Sequence, residues 1–562
     1  MEKLPKVAYF CMEYGLHKEL PIYSGGLGVL AGDLLKTAKE NNAPVIGIGI
    51  LWHQDYTEQY IGENGRPYDV YPNLSYDSMK DTGVTVNLRV RGEDVTCKVY
   101  LVDKYDNAPL YLLDTNFPGG KHGWMTDRLY GGEAQDRIAS EMILGIGGVR
   151  ALRAMGIEVD KYHFNEGHAV FAGLELIREK MQNEGLSFHD AWKAIKNDVV
   201  FTTHTPVEAG NESHDHGTLQ HMEAYNGLTY AQMCEIGGDP FNMTVAALRM
   251  SHKANAVSKL HGETAREMWK DVDNAAPIIA ITNGVHNKTW QNPEIREAYE
   301  NNTDLWEPHM KLKKKLLEYV KKETGVALKL DNLVIGFARR AAAYKRTGLI
   351  FRNPELIDSI LKEGKMQLVF SGKAHPKDEI GKDIIQHVVS MAQRYKNNVV
   401  FLENYDMGIA ELLVQGCDVW LNNPRRPLEA SGTSGMKAAM NGVLNVSVLD
   451  GWVAEGVEHG INGWLLDERV DLKSFDDMHQ DEQDIKALYE VLLEEVIPTY
   501  YEDRKKWLEM MQASITMSRK QYSSTRMLKQ YYQHLYSDEN IQVQPYMIEE
   551  RAAETDLDAR KQ

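Results

Sequence analysis

Short apolar segments alternate with helical stretches along most of this chain, and this alternation is the strongest constraint on its fold. Each apolar run has the length of one buried strand, and a segment with helical periodicity follows it. Strands that alternate with helices form parallel sheets, so the pattern predicts an α/β protein. The predicted strands span residues 7–10, 44–51, 199–203 and 277–281, and then 333–337, 367–371, 398–402, 419–422 and 444–449.

A charged helical segment interrupts this rhythm over residues 302–332. It ends at Gly325 and a new strand follows it, so we place a domain boundary at that glycine. The sequence therefore predicts two Rossmann-like lobes that face each other across a cleft, residues 1–325 and 326–472, with ligands at the carboxyl ends of the strands. Residues 473–562 are helical and acidic, which predicts an extension that packs back on the lobes and ends in a loosely held tail.

The charge of the chain limits its partners. Among 562 residues, 63 Lys and Arg stand against 81 Asp and Glu, a net charge of −18. A field of that sign repels polyanions, and no dense basic run offsets it, so nucleic acids and anionic membranes are excluded as general partners. An anionic ligand must therefore be bound by a few cations placed in a cleft.

Cysteine usage and hydropathy indicate the compartment. The four cysteines, at positions 11, 97, 234 and 417, show no CxxC spacing, which argues against a zinc site and against a disulfide framework. Glu13 interrupts the apolar run near the N-terminus, and no stretch approaches the roughly 18 apolar residues of a membrane span. We therefore expect a cytoplasmic protein.

A glycine-rich loop precedes a predicted helix within residues 23–33. Its glycines, Gly25, Gly26 and Gly28, allow the backbone to approach a ligand, and the N–H groups of a helix start bind anions or sugar hydroxyls. Such glycines also serve packing alone, so both interpretations stay open. The spacing does not match the G-x-G-x-x-G dinucleotide fingerprint.

Four cations follow the predicted strand that begins the second lobe. They are Arg339, Arg340, Lys345 and Arg346. At the carboxyl end of a strand, guanidinium and ammonium groups together neutralise a phosphate dianion, so the cluster predicts a phosphate site. A solvated basic helix is the alternative.

The densest motif spans residues 425–442. Its run of Gly, Ser and Thr leads into a helix and predicts a cradle for a phosphate, with Lys437 on the first turn. The Walker pattern fails because Met436 stands where its lysine would be. A phosphate cradle with an adjacent lysine is also how a pyridoxal phosphate site is built. A purely structural loop between strand and helix is the alternative.

Two histidines, His168 and His204, follow apolar strands and are candidate cleft residues, although a lone histidine is more often structural. His214, His216 and His221 do not have the spacing of a metal-ligand pair, so no metal is predicted. Some carboxylates could include the acid and base of a hydrolase, at separations that the sequence does not give: Glu13, Glu166, Glu208 and Glu429.

In order along residues 7–466, these motifs are similar to those of the α-glucan phosphorylases, which act on glycogen, starch and maltodextrin, in their compact bacterial or archaeal form. The most specific is Glu429-Ala-Ser-Gly-Thr433 with Met436-Lys437 and Asn441-Gly442, which resembles the family's pyridoxal phosphate segment. The resemblance implies the two-lobed α/β architecture of GT-B type glycosyltransferases. It also implies pyridoxal 5'-phosphate as the cofactor, covalently bound by Lys437.

The resemblance implies a role for each matched residue. Arg340 and Lys345, which would bind the substrate phosphate, and His204, whose backbone would face the glucosyl unit, are the expected catalytic residues. The expected cofactor contacts are Lys437, Thr433, Ser434, Arg339, Tyr405 and Trp290. The expected substrate contacts are Gly25, Gly26, Asn283, Glu429, Tyr344 and His168, the last in a Glu166-x-His168 pair where the family has Asp-x-His.

Three departures from the larger family members concern the cofactor pocket. Arg339 stands where they have a lysine, Asp406 where they have an arginine, and Ser434-Gly435 replaces their Gly-Asn. Asp406 reverses a charge, which makes Arg425 or the arginine after it a candidate replacement cation. The chain is also much shorter than those enzymes, so their allosteric elements are not carried over.

The implied activity is phosphorolysis. The terminal α-1,4-linked glucose of a glucan is transferred to inorganic phosphate, which gives α-D-glucose 1-phosphate with retention. A homodimer is implied as well. Two alternatives stay open: a nucleotide-sugar-dependent glucan synthase of the same architecture, which would need no pyridoxal phosphate, and a catalytically silent relative, which would bind glucan without turnover.

Overall fold

The computed structural model describes residues 4–76, 79–466 and 476–539. Within those ranges the chain forms two large sheets, one in each half of the sequence, with helices between most of the parallel strands. The predicted α/β class is confirmed. In chain order the strands are β1 Val7–Phe10, β2 Val45–Ile50, β3 Glu58–Ile61, β4 Pro67–Val70, β5 Lys80–Val90, β6 Glu93–Val102, β7 Leu110–Asp114, β8 Lys161–Asn165, β9 Val199–Thr202, β10 Ser213–His214, β11 Phe241–Asn242, β12 Lys253–Ala256, β13 Ile278–Ala280, β14 Leu333–Ala338, β15 Met366–Ser371, β16 Val399–Leu402, β17 Val419–Asn422, β18 Leu444–Ser447 and β19 Gly463–Leu465.

The sheet of the N-terminal half has the strand order β13, β12, β9, β8, β1, β2, β7, β6, β5. From β13 to β7 neighbouring strands are parallel, as predicted. The long strands β5 and β6 add an antiparallel hairpin at one edge, which the alternation of strands and helices did not predict. Along the second half of β5, buried residues alternate with exposed ones, because one face of this hairpin is solvated.

The sheet of the C-terminal half has the order β16, β15, β14, β17, β18, β19, and each pair of neighbours is parallel. All residues of β14, β15, β17 and β18 are buried, as in strands covered on both faces. The carboxyl ends of these strands lead into the loops that carry the predicted phosphate and cofactor residues.

The helices surround these sheets. The charged segment near the expected boundary forms α12, and Gly325 caps it with a φ of +73°, as its sequence predicted. In chain order the α-helices are α1 Gly26–Glu40, α2 Ala134–Met142, α3 Gly148–Ala154, α4 Val170–Asn183, α5 Phe188–Lys196, α6 His216–His221, α7 Tyr230–Gly237, α8 Met243–Met250, α9 Lys259–Met268, α10 Asn287–Trp290, α11 Pro293–Glu300, α12 Trp306–Thr324, α13 Pro354–Lys362, α14 Glu379–Arg394, α15 Met407–Gly416, α16 Thr433–Met440, α17 Val453–Gly456, α18 Asp477–Val491, α19 Ile497–Glu502, α20 Arg504–Gln521 and α21 Ser524–Gln530.

The C-terminal helices contact both halves of the chain. On α20, Ser518 Oγ donates to Met436 O at 2.8 Å, which ties this helix to α16. Beyond α21, Tyr536 lies in the core of the N-terminal half, where its hydroxyl is 2.8 Å from His163 Nδ1. The domain boundaries at 325/326 and 472/473 stay predictions, and the expected tail lies outside the described residues from 540 onward. In the described part of the chain, every helix is too short or too polar to span a bilayer.

Candidate functional site

The predicted phosphate loop follows β14 and contacts the predicted cofactor segment. Arg339 Nη1 lies 3.3 Å from Glu429 Oε2, and the Lys345 ammonium donates to the same carboxylate. Burial raises the pKa of Glu429, but the two cations outweigh burial and hold that pKa below its usual range. Both cations are largely buried, and Ala343–Lys345 is a single 3-10 turn, so the alternative of a solvated basic helix is wrong.

The neighbouring arginines form structural ion pairs instead. Arg346 is buried and lies 2.9 Å from Asp481 Oδ1 and 2.6 Å from Asp484 Oδ2, both on α18. Arg425 Nη2 is 2.9 Å from Asp481 Oδ1, and Arg426 Nη2 is 2.6 Å from Asp484 Oδ1. These arginines anchor two loops to α18. The expectation that Arg425 or Arg426 supplies a replacement charge to the cofactor pocket stays a prediction; the charge of Arg426 does act on the nearby Asp450 carboxylate, whose pKa it lowers against the effect of burial.

Lys437 lies on α16 in a largely apolar setting. Its Nζ is 3.8 Å from the centroid of the Trp290 ring. Burial lowers the pKa of the Lys437 ammonium to about 8, and the Asp33 carboxylate acts in the opposite sense. Asp33 is held in place because Trp290 Nε1 donates to its Oδ2 at 2.9 Å. An amine with this pKa is partly uncharged near neutral pH, and the uncharged form is the nucleophile that reacts with an aldehyde.

The first turn of α16 begins after Gly432, whose φ of +90° lies in the left-handed region. Thr433 and Ser434 form this turn, and Ser434 Oγ accepts from Trp420 Nε1 at 3.2 Å. The first N–H groups of a helix have no partner within it, so this end of α16 favours an anion.

A chain of hydrogen bonds connects this turn with Arg339. Asn445 Nδ2 donates to Gly435 O at 3.0 Å, and Asn422 Nδ2 donates to Asn445 Oδ1 at 2.8 Å. Arg339 Nη2 donates to Asn422 Oδ1. Arg339 Nε is buried and has no hydrogen-bond partner among the described residues. One donor of this guanidinium therefore remains for a ligand.

The glycine-rich loop combines a packed part and an open part. Gly25 N and Ser24 N donate to Glu13 Oε2 at 3.1 and 2.6 Å, which fixes the start of α1. A Cβ on Gly25 or Gly26 would meet no atom of the described residues within 4 Å, whereas one on Gly28 would lie 2.6 Å from Glu13 Oε2. Packing thus explains Gly28, and the open face at Gly25 and Gly26 leaves room for a ligand.

A second wall of the site comes from the N-terminal half, at the ends of the adjacent parallel strands β8 and β9. The Glu166 carboxylate accepts from Thr205 Oγ1 at 3.2 Å and from His204 N. His204 Nε2 is 2.6 Å from Asn165 Oδ1. Burial lowers the pKa of His204 and of His168 to about 3, so both imidazoles are neutral near pH 7.

Two side-chain atoms on this wall lack partners within the structure. His168 Nδ1 and Asn283 Oδ1 are buried without a hydrogen bond to any described residue. The Asn283 backbone is fixed, because its N donates to Val257 O at 3.1 Å and its O accepts from Arg526 Nη2 at 2.8 Å. Buried polar atoms are normally paired, so these two are candidates for binding hydroxyl groups.

Tyr405 and Asp406 follow β16 and differ in role. Burial raises the pKa of the Tyr405 phenol, and the Arg339 guanidinium opposes that rise, which places Tyr405 in the same charged pocket. Asp406 is exposed, and its Oδ1 accepts from Ile409 N at 2.8 Å as the N-cap of α15. The departure at Asp406 is thus accounted for by helix capping.

Tyr344 and Arg340 complete the phosphate loop. The Lys345 ammonium is 4.7 Å from the centroid of the Tyr344 ring, and Tyr344 O accepts from Arg425 N at 2.6 Å. Arg340 is exposed, and its charge lowers the pKa of the buried Glu429 after the larger effects of Lys345 and Arg339. The loop therefore presents a free guanidinium close to a neutralised carboxylate.

Asp450 is a site residue that the sequence interpretation missed. Its Oδ2 accepts from Glu429 N at 2.9 Å and its Oδ1 from Gly451 N at 2.8 Å. Burial raises the pKa of Asp450 to about 7. Its position three residues after the end of β18, before a glycine, is the signal that could have indicated it, since polar residues at strand ends line the ligand side of such sheets.

His214 lies in an ion-paired cluster that borders the second wall, since the charges of Arg137 and Glu212 in this cluster act on the pKa of His168. It shares a buried pocket with Glu141 and Glu212, and their ligand-type atoms lie within 4.8 Å of one another. Arg137 already provides a cation there, with Nη2 3.0 Å from Glu212 Oε2. His216 is bound elsewhere, 2.9 Å from the Tyr225 hydroxyl.

Fold and site together define a two-lobed α/β protein with a cationic pocket and a buried lysine. Residues 291–460 match the family model described as carbohydrate phosphorylase. The chain is 41% identical to maltodextrin phosphorylase of Thermococcus litoralis, over 94% of this chain and 70% of that protein. It is 36% identical to glycogen phosphorylase of Mycobacterium tuberculosis with the same coverage, and 34% identical to glycogen phosphorylase of Aquifex aeolicus, over 94% of this chain and 86% of that protein. The chain belongs to the carbohydrate phosphorylase family and has the GT-B type fold.

Proposed function

We propose that this protein is an α-glucan phosphorylase. It transfers the terminal α-1,4-linked glucose of a glycogen- or maltodextrin-like glucan to inorganic phosphate and releases α-D-glucose 1-phosphate with retention. The observation that carries the proposal is the meeting of Arg339 and Lys345 at Glu429, on the loop that leads to the helix of Lys437. The names of the relatives agree with this activity.

The substrate phosphate is proposed to bind between the cation loop and the glycine-rich loop. Arg340 and Lys345 neutralise its charge. The N–H group of Gly26, the first residue of α1, is proposed as a donor to the phosphate, and the missing side chains at Gly25 and Gly26 leave room for it. In a site without bulk water, such fixed donors stabilise developing charge strongly. Tyr344 lies beside Lys345 and limits the directions from which phosphate can approach.

Pyridoxal 5'-phosphate fits the residues around Lys437. The partly uncharged amine is available for covalent binding, and Trp290 covers it on one side. The N-terminal turn at Thr433 and Ser434 and the unpaired Arg339 Nε are suitable partners for the cofactor phosphate. When bound, the cofactor supplies a phosphate group that can give and accept a proton next to the substrate phosphate.

The glucosyl unit is proposed to bind against the second wall, at the ends of β8 and β9, which we call the neutral wall because the imidazoles of His168 and His204 are uncharged there. Asn283 offers a buried carbonyl oxygen, His204 and His168 are neutral, and Glu429 accepts hydroxyl donors while its charge is balanced by Lys345. A neutral sugar needs directional hydrogen bonds more than charge, and a charge of −18 on the protein does not repel a neutral glucan.

The setting of the enzyme completes the proposal. Cys11, Cys97 and Cys417 are buried free thiols, and Cys234 is a partly buried one, which suits a reducing compartment such as the cytoplasm. The active form is proposed to be a homodimer with α-1,4-glucan and phosphate as its substrates. Neither a nucleic acid nor a membrane is part of the proposal.

One experiment tests the proposed function. Purified protein that has been loaded with pyridoxal phosphate is incubated with maltodextrin, with and without inorganic phosphate, and glucose 1-phosphate is measured. Release that depends on phosphate is the expected result. Glucan elongation from a nucleotide-glucose donor without the cofactor would instead identify a synthase, and glucan binding without either product would identify a silent relative. Either outcome would overturn the proposal.

A further inference from the structure

A hairpin of the N-terminal half reaches the C-terminal half beside the phosphate loop. Its strands β3 and β4 pair with each other in a small antiparallel sheet. From this hairpin, Asp69 Oδ2 is 2.9 Å from Lys382 Nζ, and Asn64 O accepts from Gln386 Nε2 at 2.9 Å. The hairpin is thus a bridge between the two halves.

Gln59 on β3 makes a buried, two-pronged contact across this bridge. It is 3% exposed, and its Oε1 accepts from Ala374 N at 2.9 Å while its Nε2 donates to Ala374 O at 3.2 Å. Nε2 also donates to Asp69 Oδ1 at 2.8 Å, which fixes the orientation of the amide. The Gln59 backbone is held as well, since its O accepts from Asn404 N at 3.0 Å and its N donates to Asn404 Oδ1 at 3.3 Å.

The segment that Gln59 binds, residues 371–374, packs directly on the phosphate loop. Ala341 N donates to Lys373 O at 2.8 Å, and Ala341 and Ala374 form a parallel bridge. At Gly372 the two backbones are so close that a Cβ would lie 2.2 Å from Arg339 O. Because the two backbones are in direct contact at Gly372, a shift of Ala374 displaces the loop that begins at Arg339.

We propose that Gln59 is a positioning residue for the substrate phosphate. It holds Ala374, and through Ala374 the loop that carries Arg340 and Lys345, at the place where a phosphate group is bound. A pair of hydrogen bonds to one backbone unit restricts both distance and orientation, and a binding site tolerates displacements of only about 0.5 Å. The inference rests on the proposed function, because it requires phosphate to be a substrate.

The proposal predicts a selective kinetic defect. Gln59→Met keeps the volume of the side chain, removes both bonds to Ala374 and leaves the cations in place, so the KM for phosphate rises by about tenfold or more. The KM for maltodextrin stays within about twofold, because among the described residues no hydrogen bond or ion pair joins the wall of His168 and His204 to residues 371–374. Gln59→Glu keeps the acceptor for Ala374 N but places a second carboxylate beside Asp69, so its defect is similar.

The control is Arg66→Ala on the same hairpin. Arg66 pairs with Glu379 at 2.6 Å and with Asp383, so it crosses between the halves as Gln59 does. These pairs lie on α14, outside residues 371–374. The control variant is therefore expected to keep the wild-type KM for phosphate.

The experiment measures phosphorolysis by wild type, Gln59→Met, Gln59→Glu and Arg66→Ala over a range of phosphate and of maltodextrin. A wild type without glucose 1-phosphate release refutes the proposed function, whatever the variants do. With an active wild type, an unchanged KM for phosphate, or equal rises in both KM values, overturns the role of Gln59.

A second measurement tests the role of Gln59 even if one of the two Gln59 variants folds poorly. Hydrogen–deuterium exchange of the Ala341 amide, which bonds to Lys373 O, is compared in wild type and in whichever Gln59 variant folds. Faster exchange in the Gln59 variant than in Arg66→Ala supports the proposal. Equal exchange in both, or loss of folding in both Gln59 variants but not in Arg66→Ala, shows a purely structural residue and overturns it.

Discussion

The two walls of the site use opposite electrostatics. The wall of the C-terminal half is built from ion pairs, with Arg339 and Lys345 on the Glu429 carboxylate. The wall of the N-terminal half carries His168 and His204, whose pKa values burial lowers to about 3, so both imidazoles are neutral. The Glu166 carboxylate of this wall already accepts from His204 N and Thr205 Oγ1. A charged phosphate and a neutral sugar place different demands on a protein, and the two halves meet these demands separately.

This difference explains how an acidic protein can bind phosphate. Arg339 and Lys345 are largely buried and already paired with Glu429 in the free protein, so they lose little by exclusion of water and are oriented before the ligand arrives. Arg340 is exposed, and its guanidinium is available to the phosphate. Variants that disrupt one wall at a time therefore separate the contributions of the two halves.

Removal of the Lys437 amine has the largest effect. Lys437→Ala is expected to abolish phosphate-dependent release of glucose 1-phosphate, because the cofactor loses its covalent attachment. The fold remains, since α16 is also held by the bond from Ser518 Oγ to Met436 O. Activity and the thermal unfolding midpoint are measured for both Lys437→Ala and Lys437→Arg. The arginine variant keeps a positive charge and is expected to be inactive too, so activity in either variant would contradict the assignment.

Loss of a cation from the charged wall is the next largest effect. Lys345→Met is expected to lower kcat/KM for phosphate by about 10²- to 10³-fold, because one fixed charge at the developing anion is lost. The matched variant in the neutral wall is Asn283→Leu, which is expected to raise the KM for maltodextrin and leave the KM for phosphate nearly unchanged. Steady-state kinetics with both substrates checks the pair. Equal effects of the two variants on both substrates would show that the walls are not specialised.

The buried neutral histidines of the neutral wall lower the stability of the folded protein at acid pH. The pKa of His204 is about 3 in the folded protein, against an ordinary value near 6.5. Between these two pH values, His204 is protonated in the unfolded chain but not in the folded protein. Stability from this group is therefore present above pH 6.5 and is lost as the pH falls towards 3, by up to about 1.4 kcal/mol per pH unit.

His204→Gln is expected to reduce the slope of that acid dependence between pH 6 and pH 4 by up to about 1.4 kcal/mol per pH unit, measured by urea unfolding at each pH, while His168 keeps its own contribution. His189→Gln changes an exposed histidine and serves as the control, with a dependence like that of wild type. A wild-type slope in His204→Gln would mean that His204 is protonated in the folded protein, and the neutral wall would then be charged.

Asp406 marks the edge of the charged wall and has the smallest expected effect. Asp406→Ala removes the N-cap of α15 and is expected to cost about 1 kcal/mol of stability, whereas Asp406→Asn keeps a capping oxygen and costs less. Phosphorolysis is expected to change by less than about twofold in both, because the side chain is turned to its own helix. A tenfold loss in Asp406→Asn would place its charge in the cofactor pocket.

Much of the fold follows from local patterns. The strands at residues 7–10 and 419–422 are observed with the predicted bounds, and the others with ends moved by one or two residues, because buried apolar runs specify strands directly. The edge hairpin of β5 and β6 escaped prediction because its exposed face gives it a mixed composition. Pairing at a sheet edge depends on a neighbour, and the alternation of strands and helices does not reveal it.

The candidate site could be predicted in part. The local pattern predicted the residues at strand ends only as groups, and the role of each member came from the resemblance to the phosphorylases. Lys345 and Arg346 are adjacent cations, yet they have different partners. Lys345 pairs with Glu429, whereas Arg346 pairs with Asp481 and Asp484, which lie more than a hundred residues further along the chain. Roles set by such distant partners are not present in local sequence.

The most direct test of the account is chemical labelling of Lys437. The protein is loaded with pyridoxal 5'-phosphate and treated with sodium borohydride, which fixes the cofactor to the amine that holds it, and its peptides are then mapped by mass spectrometry. We predict one pyridoxyl adduct, on Lys437, and none in Lys437→Ala. An unmodified Lys437, or an adduct on another lysine in its place, would contradict the assignment of the cofactor pocket on which the proposed function depends.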